Sequence, residues 1–574
     1  DKDGFMSSAF LDRYAAAVET AAGLGQKMCL YDEYWFPSGS AGGQLAKAFP
    51  EALSKRLDKW EEDVRGPKTF SHAVPEGRVM AAVAMHTETL ARVDLAESVH
   101  DGRLEWAVPE GTWKLMIFTC VNDGSDGLVD YLDPEAVAKF VSLTYEKYYA
   151  RLSTYFGTTI DSAFFDEPTL YRTQGARTWT PAFNEKFAAK YGYSPAPYYP
   201  ALWYDIGPDT AAARCALFGF RAELYSNGFM RVLDDWCRAH GIRLTGHQDQ
   251  EEIVNPTGIC GDLIQSFAHQ EIPGIDQIFK YNRAGKVYKL VASAAYNYGR
   301  QNVMTECYGA MDHLSVANLY KEAMDQFAKG ITMMIPHAVW YDAKHITFQP
   351  ELSYRTEPYA SALPAYNAYI GRLQRVLQQG RHEADIAVLY PIATLEAGYR
   401  FGVGEPYTGG IVPPEADYLD VGEMLSDSVR VEFTFLHPES LETRCTIAPG
   451  RLHFEAPGHF EDYRVLVLPG AETANAGAMA KAAAFFAQGG VLLATTRVPS
   501  RSAEFGKDAE VCNAVAALFG APPESVNAAT ETLVWKNDAG GSAVFLPHPA
   551  PETLEAALDA LLPIRELAFG SVPA

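Results

Sequence analysis

From its N-terminus to about residue 380, the chain alternates amphipathic helices with short apolar runs, and few folds satisfy that rhythm. Leu11–Ala22 has helical spacing and is closed by Gly23 and Gly25, just before the apolar run that ends at Asp32-Glu33. Asp133 followed by Pro134 and Glu135 predicts a helix reaching about Tyr155, and the strand after it ends at Asp166-Glu167. A long helix around 210–240 precedes the strand Ile242–His247, and Asp262–Phe267 is expected to add a short strand. Helices near 286–297 and at Ser315–Lys329 precede the runs Asn302–Glu306 and Ile331–His337, and a last helix covers roughly 363–379. Strands that alternate with helices pair in parallel, so the expected fold class is α/β, a (β/α)8 TIM-type barrel. About six strands are countable, and the first barrel strand is expected upstream of Asp1.

Two stretches break the rhythm. Within 66–132, Val79–His86, Leu90–Asp94, Leu104–Val108 and Trp113–Cys120 are short runs separated by Gly and Pro turns, which predicts a small antiparallel β insertion. After Arg381-His382-Glu383, the runs Asp385–Tyr390, Tyr463–Leu468 and Val491–Thr496, with a helix at about 475–487, predict a second α/β domain of flavodoxin- or amidotransferase-like type. It has no GxGxxG, no phosphate loop and no Cys at a strand–helix elbow, so it is expected to be structural or to support a homo-oligomer. The expected division is 1–65 and 133–380 for the barrel, 66–132 for the insertion and 381–574 for the second domain.

Composition narrows the partners. The net charge of −24 disfavours nucleic acid and anionic membrane, both of which need basic surface. No apolar run reaches the roughly 18 residues of a membrane span. Eight dispersed cysteines include no CxxC pair, which argues against structural zinc and against a thioredoxin-like site. There is no HExxH and no EF-hand spacing either. The chain begins at Asp1 with neither initiator Met nor signal peptide, so it looks trimmed, and the residues assign no compartment.

The strand ends carry the chemistry. In a barrel of parallel strands the C-terminal ends share one mouth, and here several of them end in acids. Glycoside cleavage needs two such carboxylates, one to protonate the leaving oxygen and one to attack or to activate water. Glu167 follows Phe164-Phe165-Asp166 and precedes Pro168; Glu306 follows Val303-Met304-Thr305. These two are the candidate catalytic pair, with Asp166 beside them as a positioning group or metal ligand. Glu33, ahead of Tyr34-Trp35-Phe36 and a Gly-rich loop, is a candidate substrate contact. So are His247 and Glu252 in the polar run 247–252, and His337 and Trp340, whose ring could stack on a sugar. Each acid has a plainer alternative as a helix cap or an arginine partner, and the rings as core.

With these residues in place, the chain resembles glycoside hydrolase family 106, the α-L-rhamnosidase-type enzymes. The likeness rests on Tyr31–Gly43 (YDEYWFPSGSAGG), Phe165–Pro168 (FDEP), Asn255–Asp262 (NPTGICGD), Thr305–Ala310 (TECYGA) and Ile335–Tyr341 (IPHAVWY). It implies a (β/α)8 catalytic barrel, exo-acting α-L-rhamnosidase activity with inversion, dependence on calcium, and a periplasmic or extracellular setting. It also implies that Glu167 and Glu306 are the acid–base pair, in unassigned order, and that Glu33 and Glu252 are further active-site acids. Metal ligands are left unassigned. Family members begin further upstream and continue into β-sandwich domains that this chain does not show. The order of barrel then flavodoxin-like domain also looks like the family 42 β-galactosidases, which work with retention. An inactive carbohydrate-binding or scaffold protein is the alternative from another class.

Overall fold

The computed structural model describes residues 4–124, 126–278, 284–342, 344–404 and 411–562. Its first half is built on six short parallel strands: Met28–Tyr31, Ile160–Phe165, Arg243–Gly246, Gly274–Gln277, Met304–Cys307 and Met333–Pro336. The first three pair in chain order, and so do the last three. A parallel bridge between Thr245 and Ile272 joins the two sets, so sheet order follows chain order throughout. Residues of the first strand (Cys29, Tyr31) and of the last (Met333, Ile335) pack on one small cluster of Phe164, Ile272 and Met304. The sheet therefore curls until its two ends face a common interior. Ile160–Phe165 is buried along almost its whole length, as expected for a parallel strand covered by helices.

The short strand expected near Asp262–Phe267 is a helix instead. Asp262 caps it by accepting from the Gln265 N–H at 3.0 Å, and Leu263–Ser266 makes one turn. The strand lies further on, at Gly274–Gln277.

The antiparallel insertion is larger than expected and starts at Lys55, ahead of 66. Lys55–Ala73 and Arg103–Asn122 pair from Lys55↔Asn122 to Ala73↔Arg103, with Arg78–His86 on the far side of the second strand. Successive residues alternate between faces: Met116 and Phe118 join the main core, while Leu115 and Ile117 join a separate cluster with Val64 and Ala82. The strand from Lys55 hides in the sequence because its Asp58, Glu61, Glu62 and Asp63 read as a solvated loop.

The second domain has five parallel strands, Ile386–Leu389, Phe433–Leu436, Val465–Leu468, Val491–Thr495 and Ser542–Leu546. They lie in the order 2-1-3-4-5, and an antiparallel strand, Leu533–Lys536, covers one edge. Residues 405–410 and 563–574 of this domain fall outside the described residues. Tyr390, Tyr418, Phe433 and Phe435 share one core with Tyr288, Leu290 and Val291 of the first half, so the two halves are packed together.

Candidate active site

The C-terminal ends of the six strands surround a cavity of about 800 Å³. Its polar wall includes Asp166, Glu167, Glu251, Glu252, Asp276 and Glu306; its aromatic rim includes Tyr34, Trp35, Phe36, Trp340 and Tyr341. Six of the eight expected site residues line it: Asp166, Glu167, Glu252, Glu306, His337 and Trp340. Glu33 and His247 do not.

Glu33 faces its own loop instead. Its carboxylate accepts from the N–H groups of Tyr34, Gly39, Ser40, Ala41 and Gly42 at 2.5–3.1 Å. Burial pushes its pKa up, and those donors oppose the shift by favouring the ionised form. The job this carboxylate does is to fold the 34–43 loop, which carries Tyr34, Trp35 and Phe36 of the aromatic rim. Asp32 is the anchor below it: it accepts from Ser38 Oγ at 2.5 Å and from Tyr145 OH at 2.9 Å, while Ser38 Oγ accepts from the Asp166 N–H at 2.9 Å. One short network thus ties the first strand to the position of Asp166.

His247 sits behind the wall as a charge holder. Gly246 just before it has φ 135°, and a Cβ there would lie 2.1 Å from the Phe165 carbonyl oxygen, so only glycine lets the two strands close. The His247 ring donates from Nδ1 to the Gln248 carbonyl at 2.9 Å and from Nε2 to Glu306 at 3.1 Å, with Asp166 3.4 Å away. Burial would lower its pKa, but the bond to Glu306 and the charges of Asp276, Asp166 and Glu251 outweigh that and raise it well above normal. The ring is an imidazolium.

The candidate pair splits in protonation because burial governs Glu167 and His247 governs Glu306. Burial, followed by the charges of Asp249 and Asp166, pushes Glu167 up to about 8. Arg172 lies 3.9 Å from it, too far for a hydrogen bond. Glu167 has φ 45°, a left-handed backbone that a non-glycine residue adopts only when its surroundings impose it. For Glu306, burial would raise the pKa, but the hydrogen bond and charge of His247 hold it below the usual carboxylate range. At neutral pH Glu167 carries its proton and Glu306 does not. Asp166, raised by burial to about 6, accepts from Tyr31 OH at 2.5 Å.

Asp276 is the residue that sequence reasoning missed. It pairs in register with Glu306 on the adjacent strand, lines the cavity, and its Oδ1 is buried with no hydrogen-bond donor. The signal was present, since Ile275-Asp276 repeats the apolar-then-acid pattern of the other strand ends. His337 lies 4.0 Å from Glu306 on its other side; burial lowers its pKa, so the ring is neutral. Trp340 is fixed by its indole N–H, which donates to the Phe348 carbonyl at 3.2 Å.

Among the described residues, the one group of three or more side chains with metal-ligating atoms close together is Asp166, His247 and Glu306, within 4.8 Å of one another. Calcium takes six to eight oxygen ligands. This set offers an imidazole that is already hydrogen-bonded to Glu306, so no step is routed through a cation.

The family model of glycoside hydrolase family 106, described as alpha-L-rhamnosidase, matches residues 48–542. A structure of the rhamnosidase from Novosphingobium sp. PP1Y superposes with a TM-score of 0.60 at 18% identity, covering 82% of this chain and 44% of that one. The beta-galactosidase from Bacillus circulans sp. alkalophilus superposes with a TM-score of 0.58 at 10% identity, covering 96% and 80%. Among curated proteins, one from Formosa agariphila named "Putative beta-glucuronidase" is 24% identical over 372 residues, 59% of this chain. The chain spans 30% of the length of that relative. On the family match over residues 48–542, the chain belongs to glycoside hydrolase family 106.

Proposed function

We propose that the chain is a glycoside hydrolase of exo-acting α-L-rhamnosidase type, removing a terminal sugar from a glycoside or polysaccharide with inversion. The observation that carries this is the opposite protonation of two carboxyls at one cavity, Glu167 raised to about 8 and Glu306 lowered. Glu167 gives its proton to the leaving glycosidic oxygen. Glu306 takes a proton from the water that attacks the anomeric carbon, so one proton enters and one leaves the site per turnover. Its scaffold is a (β/α)8-type barrel followed by a flavodoxin-like domain; the six parallel strands and the 2-1-3-4-5 order support that reading.

Proton NMR of the sugar first released from an aryl α-L-rhamnoside tests the proposal. Initial β product supports inversion, and initial α product replaces it with retention, the second reading favoured by the fold likeness to a beta-galactosidase over 96% of the chain. A folded chain that turns over none of a panel of aryl glycosides is a binding protein instead. Turnover before and after chelation decides the calcium requirement implied by the resemblance. An extracellular or periplasmic setting and a homo-oligomeric second domain belong to the same proposal.

A further inference from the structure

The segment Asn255–Asp262 carries one of the sequence motifs, yet the chemistry of the cavity gives it no task. Among the described residues that line the cavity, none comes from 255–262. All of them are nonetheless buried, which is rare for a segment between strands, because its backbone must then find partners inside the protein. Those partners lie in two directions.

One direction is the second half of the molecule. The Asn255 side-chain amide donates to the carbonyls of Leu395 at 3.0 Å and Ile411 at 2.7 Å. A Cβ on Gly258 would lie 2.5 Å from Tyr399 OH, so only glycine lets the two halves close here. At the other end of the segment, Asp262 accepts from His437 Nε2 at 2.8 Å. The other ring nitrogen, Nδ1, caps the helix Pro438–Arg444 by accepting from the Glu439 N–H at 3.2 Å.

The other direction is the candidate proton donor. The Ile259 carbonyl accepts from the Leu170 N–H at 2.7 Å and from Thr169 Oγ1 at 3.1 Å. Only Pro168 separates Thr169 from Glu167, whose left-handed φ of 45° persists only where its surroundings impose it.

We infer that the 255–262 segment is a clasp through which the second half positions Glu167, with His437 as a positioning residue that acts through Asp262. This inference rests on the glycosidase reading with Glu167 as the proton donor. It gives the second half a part in turnover, although among the described residues none of that half lines the cavity.

Two substitutions separate positioning from folding, because the two nitrogens of the ring have different partners. His437→Asn keeps an acceptor for the helix cap and loses the donor to Asp262; His437→Gln keeps a donor that reaches Asp262 and loses the cap. Wild type and both variants are compared on aryl α-L-rhamnosides with poor and good leaving groups, with unfolding midpoints taken on the same preparations. His437→Asn should lose about 10-fold in kcat on poor leaving groups and about none on dinitrophenolate, with KM unchanged, since only the proton donor is displaced. His437→Gln should recover most of that rate while its unfolding midpoint falls. Thr169→Val, which removes one of the bonds to the Ile259 carbonyl, runs the same comparison if His437→Asn does not fold. An equal loss on both kinds of leaving group overturns the inference, as does an unchanged kcat on the poor ones or a rate that follows the unfolding midpoint. Wild-type turnover keeps the two claims apart. No turnover of any glycoside removes the glycosidase reading and this inference with it, whereas turnover with any of those three patterns removes the clasp alone.

Discussion

The two halves of the molecule both end parallel strands on one side of a sheet, yet among the described residues the space at those ends differs greatly. In the first half the strand ends open into about 800 Å³. In the second, Pro391, Pro469 and Ala471 close over a crevice of about 20 Å³. The second half also holds an acid against its strand ends, brought there by the residue just before the helix Tyr418–Glu423. Asp417 accepts from the Gly470 N–H at 2.8 Å and from Thr496 Oγ1 at 2.6 Å, so its bonds stay within the fold. Asp276 and Glu251 keep an oxygen free. Acids at strand ends therefore mark a site only where open volume and unspent hydrogen-bonding capacity coincide.

Breaking the charge arrangement of the first half should have the larger effect. His247 does not itself line the cavity, yet through its bond to Glu306 it sets the ionisation of that carboxylate. Without it, burial dominates and the Glu306 pKa rises, so the proton-accepting form is lost at a higher pH as pH falls. His247→Ala should lower kcat/KM at neutral pH by about 10²-fold and shift the acidic limb of the pH profile upward. An acidic limb left in place would refute the charge-holding role, whatever happens to the rate.

The smaller effect belongs to the second half. Asp417→Asn should lower the unfolding midpoint by a few degrees, through about 1–2 kcal/mol of weakened hydrogen bonding, with kcat and KM unchanged. Calorimetry and initial rates on the same preparation check both parts. A loss of turnover at full stability would place chemistry where we place only packing.

Much of the first half can be read in the sequence because burial of short parallel strands demands apolar runs, and acids directly after them stand out. Glu167 and Glu306 were legible on that ground, and so was the alternation of strand and helix. Glu33 was misleading for a local reason: only the folded loop reveals that five N–H groups converge on its carboxylate. His247 was expected at the substrate, whereas its ring is spent on holding two carboxylates. Asp276 escaped notice because its strand is four residues long and follows directly on Pro273, so that Pro273-Gly274 reads as a turn. The Lys55–Ala73 strand escaped because it buries only Leu57, Val64 and Phe70 along 19 residues, too few to show a period of two.

The central claim is the division of labour between Glu167 and Glu306, and leaving-group dependence tests it most directly. Glu167→Ala and Glu306→Ala are compared with wild type on aryl α-L-rhamnosides whose phenols span a wide range of acidity. If Glu167 is the proton donor, its alanine variant should lose about 10³-fold or more on poor leaving groups and keep much of its rate on dinitrophenolate, which departs without a proton. Glu306→Ala should lose a similar factor on every substrate. The reverse pattern, with Glu306→Ala spared by the good leaving group, would contradict the account.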